Sequence, residues 1–241
     1  MDLGLALGAG GARGLAHAGL LRALARAGMR PACVAGTSIG ALVGAIYCGG
    51  DLDGFCRWIG GLNRLEALKL ADPVFPRSGL IEGARLMRRV KRFLKVERLE
   101  DCVPRLAVVT VRVRDGAPLV LTTGPLLAAV RASIALPGVL TPGTWEGEAV
   151  FDGALADPLP VRPCRDLGAG AVVAVDVSRD ALPVAPGSSL ADTLKGGAAK
   201  LLAAAGSRWG PSSAWPRRCS PAGWRTARTP DPTSWRPCSG P

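Results

Sequence analysis

Apolar and polar positions change in short blocks along this chain, and the blocks predict alternating strands and helices. LGLAL (3–7) is an apolar run of strand length, followed by the glycine-rich segment GAGGARG (8–14). LAHAGLLRALARAG (15–28) then carries apolar residues at helical spacing and ends on Gly28, a residue suited to a helix terminus. A second short strand around Cys33 to Ala35 leads into GTSIG and another, small-residue helix. Strand, helix, strand, helix in this order predicts a parallel sheet with right-handed crossovers.

Further along, residues 51–70 and 82–95 read as helical. LAVVTVRV (106–113) and APLVLTT (117–123) read as two strands joined by a turn at Asp115-Gly116. GPLLAAVRASIALPG (124–138) reads as a helix stopped by Pro137, followed by a short strand ending in VFDGA and a buried strand, AVVAVDVS (171–178). No internal repeat is evident. From about Gly206 the pattern is lost: the last 36 residues hold seven prolines, four of the six tryptophans and two cysteines, with no assignable period. That composition fits either a disordered tail or a shifted reading frame of a GC-rich gene.

At 241 residues with 48% hydrophobic residues, the chain can bury one substantial α/β core. The net charge of +11 points first to an anionic partner, but six arginines against one aspartate place +5 of it in residues 206–241. Nucleic-acid binding is therefore not expected. Seven cysteines without a Cys-x-x-Cys pair, and a single histidine, predict a reduced interior without a metal. MDLGLALG lacks the layout of a secretory signal. Residues 31–50 are uncharged and long enough to raise a transmembrane reading, but five glycines and Thr37-Ser38 divide them into strand, turn and helix.

Two segments carry candidate chemistry. In the first, Gly8, Gly10 and Gly14 do not fit the dinucleotide spacing, since Arg13 stands where the third glycine belongs. No acidic residue lies between Asp2 and Asp51 to hold a ribose, and no Gly-Lys-Ser/Thr follows for a phosphate loop. What remains is a row of backbone N–H groups at a helix start, suited to an oxyanion or to close packing alone. In the second, Gly36-Thr37-Ser38-Ile39-Gly40 has the form of a nucleophile elbow, with the Ile39 N–H facing a developing oxyanion. A serine nucleophile needs a base. The only histidine, His17, precedes Ser38 and reads better as a helix histidine with a structural hydrogen bond. Asp152, after a short strand and before Gly153, is a modestly favoured carboxylate; Asp176 reads as a loop anchor.

Over residues 3–205, LALGAGGARGLAHAGLLRAL, VAGTSIGALVGA, RASIALPGVLTP, DGALADPLPV and GAGAVVAVDVS together, in this order, resemble the bacterial patatin-like phospholipases. The resemblance implies a three-layer α/β/α fold with a mainly parallel central sheet, formed by residues 1–205, with 206–241 as an irregular tail. It implies a Ser-Asp dyad of Ser38 and Asp152, the latter in the Asp152-Gly153-Ala154 motif. It places an oxyanion loop on Gly10, Gly11, Ala12, Arg13 and Gly14, with Ala9 in place of a glycine often found there.

The function so implied is a serine lipid-acyl hydrolase of phospholipase A, lysophospholipase or esterase type, cytoplasmic or peripheral to membranes, acting on phospholipids or other fatty-acyl esters without a cofactor. The competing readings are a silent lipid-binding or scaffold protein and an acyltransferase. The basic helix EGARLMRRVKRFLKVE is expected to pack Leu86, Met87, Val90, Phe93 and Leu94 on the domain and to solvate its cations, rather than to lie on anionic lipid. By the same resemblance the family continues with further helix and strand where this chain turns irregular.

Overall fold

The computed structural model describes residues 2–62 and 83–178. The second parts of the helices expected at 51–70 and the whole of 206–241 lie outside the described residues. Among the described residues seven strands form one sheet: β1 (Leu3–Leu7), β2 (Cys33–Thr37), β3 (Arg105–Arg112), β4 (Pro118–Leu121), β5 (Gly143–Trp145), β6 (Glu148–Asp152) and β7 (Ala171–Val175). Helices α1 (Ala16–Arg26), α2 (Ile39–Gly49), α3 (Leu52–Gly60), α4 (Ala84–Lys91), α5 (Leu126–Ser133) and α6 (Val161–Asp166) connect them.

The strands β7, β1, β2 and β3 form a parallel block, as the alternation of strand and helix predicts. β4, β5 and β6 are added antiparallel, so the sheet is mixed. The hairpin β5–β6 turns through Glu146 and Gly147, both at positive φ (49° and 81°), as a two-residue turn matched to strand twist requires.

Side-chain alternation along the strands splits the core into two layers. Leu5, Leu7, Val34, Leu106 and Val108 face one side and pack with α1, α2, α3 and α5 into the main core. Cys33, Ala35, Ala107 and Cys164 form the smaller cluster on the opposite face, beneath α6. This is the α/β/α arrangement. α2 is buried on nearly every side, with Ala41, Val43, Ala45 and Ile46 fully enclosed. The uncharged stretch 31–50 is thus β2, a turn and α2, and no helix among the described residues is long and apolar enough to cross a membrane.

Several local expectations change. The helix expected over 124–138 ends at Ser133, four residues before Pro137; there the Ser133 hydroxyl bonds to the Val109 carbonyl of β3 and the Ala135 carbonyl accepts from the Asp152 N–H of β6. β7 is not the buried strand expected: Val173 is 47% exposed, and among the described residues β7 pairs only with β1. α4 behaves as the packing reading predicts. Met87 and Val90 are buried, Phe93 packs against Phe55 and Trp58, and Arg88, Arg89 and Lys91 face outward.

Candidate active site

The register of β3 positions the site. β2 pairs with residues 105–109 of β3, β6 with 110–112, and β4 with 108–111. Because β4 overlaps both of the others, it must occupy one edge of β3 while β2 and β6 share the other. β2 ends with Thr37 opposite Val109, and β6 ends with Asp152 opposite Thr110. The slot that residue 38 would fill is already taken by Asp152, so β2 cannot continue. The chain turns away at Ser38, with φ 58° and ψ −124°, into the start of α2. A non-glycine residue in that region costs on the order of 1–3 kcal/mol, which the surrounding contacts must offset.

The turn leaves the Ser38 hydroxyl beside the carboxylate. Ser38 Oγ donates to Asp152 Oδ2 at 2.6 Å, and Asp152 Oδ1 accepts from the Ala154 N–H at 2.9 Å. Asp152 is only 2% exposed, and burial pushes its carboxyl up from 3.8 to about 6 against the pull of these two hydrogen bonds. Gly153 lies where a Cβ would run into the Val109 carbonyl, so the Asp-Gly-Ala motif follows β3 closely. Ser38 itself is half-buried.

The glycine loop and the elbow touch directly. A Cβ on Gly14 would collide with the Ile39 side chain, and one on Gly40 with the Leu7 carbonyl at the end of β1. A Cβ on Gly36 would lie 2.6 Å from the backbone nitrogen of Ala41. α2 makes its first intrahelical bond from the Leu42 N–H to the Ser38 carbonyl, so the Ile39 N–H has no helical partner. Gly11 to Leu15 form a short 3-10 helix, whose opening leaves the N–H groups of Gly11 and Ala12 without helical partners. Gly10 stands before it, packed on Val177. The Arg13 N–H is spent on the Gly10 carbonyl at 3.2 Å, which removes it from the expected oxyanion donors.

His17 makes the structural contact expected of it. It is fully buried, with Nε2 at 2.8 Å from the Gly8 carbonyl, which only accepts, so the proton sits on Nε2. Burial lowers its pKa. Asp176 accepts from the N–H and hydroxyl of Ser178 and anchors its loop. One participant was not singled out in the sequence: Ser133, buried, accepts from the Ser38 N–H at 2.9 Å. The RASIALPG segment carries it, but nothing in that segment alone indicates a partner 95 residues away.

A parallel block that ends in a glycine loop and a serine turn, with a carboxylate brought in on an antiparallel strand, places Ser38 beside Asp152 on an α/β/α fold. The family model of patatin-like phospholipases matches residues 5–165, and the chain belongs to that family. An uncharacterised NTE family protein of Mycobacterium tuberculosis is 37% identical over 175 residues, 72% of this chain and 48% of that protein. The chain therefore spans about half the length of the mycobacterial relatives it matches. Lysophospholipase NTE1 of Pyricularia oryzae is 34% identical over 225 residues, 89% of this chain but 14% of that protein. The crystal structure of VipD from Legionella pneumophila shares 18% identity and a TM-score of 0.43, covering 66% of this chain and 46% of that one.

Proposed function

We propose that this chain hydrolyses fatty-acyl esters of lipids, of the phospholipase A or lysophospholipase type, through a covalent acyl-serine. The observation that carries the reading is the 2.6 Å hydrogen bond from Ser38 Oγ to Asp152, on a strained turn at the mouth of a helix. Family membership and the name of the fungal lysophospholipase support the lipid substrate class.

Ser38 Oγ attacks the ester carbonyl carbon as its proton passes to Asp152 Oδ2. The carbonyl oxygen gains the negative charge and is met by the N–H groups of Ile39, Gly11 and Ala12, which no helical bond uses. Collapse of the tetrahedral intermediate expels the alcohol, which takes the proton from Asp152. Water, giving a proton to Asp152, attacks the acyl-serine; the acyl–Oγ bond breaks, Asp152 returns the proton to Ser38 Oγ, and the fatty acid leaves. The raised carboxyl pKa suits this work, because a base near the operating pH accepts and returns a proton more readily than an ordinary aspartate.

Ser38→Ala and Asp152→Asn should each abolish turnover of p-nitrophenyl acyl esters while keeping a folded circular-dichroism spectrum. A fluorophosphonate should label Ser38 in the wild-type chain and nothing in Ser38→Ala. Unchanged turnover in either variant, or a wild type that folds and is not labelled, overturns the reading.

A further inference from the structure

We infer that Ser133 is the positioning residue of the dyad, holding the backbone of Ser38 in the geometry that presents its hydroxyl to Asp152. This rests on the reading of Ser38 as the nucleophile.

Ser133 closes α5 and is fully buried. A buried hydroxyl has one proton to give and must place it. Ser133 Oγ gives it to the Val109 carbonyl at 2.6 Å, which aims its lone pairs at the Ser38 N–H, 2.9 Å away. A serine in the last turn of a helix ordinarily bonds back to the carbonyl four residues earlier. Here both bonds leave the helix, one to β3 and one to the elbow. Val109 is the β3 residue opposite Thr37, so the tether engages at the register position where β2 stops.

The elbow needs such a tether. Ser38 sits at positive φ, and the helical bonds of α2 engage its carbonyl, through Leu42, but not its N–H. Two residues beyond Ser133, the Ala135 carbonyl accepts the Asp152 N–H at 3.0 Å. The span Ser133–Ala135 therefore grips the main chain of both dyad members and sets their separation. Only the grip on Ser38 is made by a side chain, and only that one can be removed by substitution.

Displacing reacting atoms by about 1 Å costs on the order of 10²-fold in rate. In the full chain, Ser133→Ala should lower kcat on a p-nitrophenyl acyl ester by about 10- to 100-fold, with KM within about twofold. Fluorophosphonate labelling of Ser38 should slow by the same factor in protein shown to stay folded at the assay temperature, although the two hydrogen bonds lost lower its melting temperature. Ser133→Thr, which keeps the hydroxyl, should recover most of the rate. Wild-type kcat and labelling in Ser133→Ala, or a folded Ser133→Thr no faster than Ser133→Ala, overturns the inference. If Ser133→Ala does not fold, Ser133→Cys replaces it, its sulfur being a poor acceptor. A folded Cys variant with wild-type kcat, or failure of both variants to fold, also overturns it. Labelled wild type separates this failure from failure of the dyad itself.

Discussion

Replacing Asp152 by asparagine should abolish turnover and at the same time stabilise the domain at neutral pH. Asp152 is enclosed, no cation among the described residues pairs with it, and its carboxyl is raised from 3.8 to about 6. A carboxylate whose folded-state pKa exceeds its unfolded value binds its proton more tightly when native. The ionised form then penalises the folded state, in full above about pH 6 and not at all below about pH 4. Two pH units correspond to about 3 kcal/mol at pH 8. Asparagine carries no such charge, can keep the acceptor for the Ala154 N–H, and can turn its amide toward Ser38 Oγ. Allowing for the lost charge-assisted bond from Ser38, the net gain should be about 1–3 kcal/mol. For a domain of this size that raises the melting temperature by roughly 2–12 °C. Thermal melts of wild type and Asp152→Asn at pH 8 and pH 4.5, at equal ionic strength, test it. A variant that melts below wild type at pH 8, or an advantage that is the same at both pH values, refutes the reasoning.

Two other expectations follow from the same geometry. The kcat/KM for a p-nitrophenyl acyl ester should fall about tenfold per pH unit below about pH 6 and level off above it, as Asp152 loses its capacity to accept a proton; a profile flat from pH 5 to 7, in enzyme shown to stay folded, counts against Asp152 as the base. Gly40→Ala should lose esterase activity or soluble yield, because its Cβ meets the Leu7 carbonyl, whereas Gly19→Ala on α1, with nothing within 4 Å, should gain roughly 0.5–1 kcal/mol in a denaturant titration. Equal behaviour of the two variants would show that the close approach at Gly40 is not what requires glycine there.

The first half of the fold is legible in sequence because its signals are local. Apolar runs of strand length, glycines at the turns and helical spacing between them lay out β1, α1, β2 and α2 in order. The candidate serine could be located for the same reason, since GTSIG is a five-residue pattern. What escaped depends on partners far away in the chain. α6 is six residues with a proline inside, too short to show a period, and β5 is three residues long. The position of β7 beside β1 alone, among the described residues, is decided by topology, and AVVAV reads the same whether or not a layer covers it. α5 ends at Ser133, whose hydroxyl makes bonds outside the helix to Ser38 and Val109, while the more visible Pro137 drew the expected boundary too far along the chain. The spent N–H of Arg13 likewise depends on a 3-10 turn that a glycine-rich string does not specify.

Ser38 and Asp152 are 114 residues apart in the chain, yet they are neighbours because two strands run toward each other along one edge of β3 and stop at adjacent positions. This makes the reacting distance a matter of counting. Loops outside the Ser133–Ala135 span, such as the Asp115-Gly116 turn, can lengthen or shorten without moving either group, because they do not carry the spacing. A single residue deleted within the paired part of β6 would instead shift the carboxylate by about 3.3 Å and turn it to the other face of the sheet. Variation should accordingly be tolerated as changes of loop length and rejected as changes of strand length, so that substrate preference can diverge on the loops around a dyad whose spacing stays fixed.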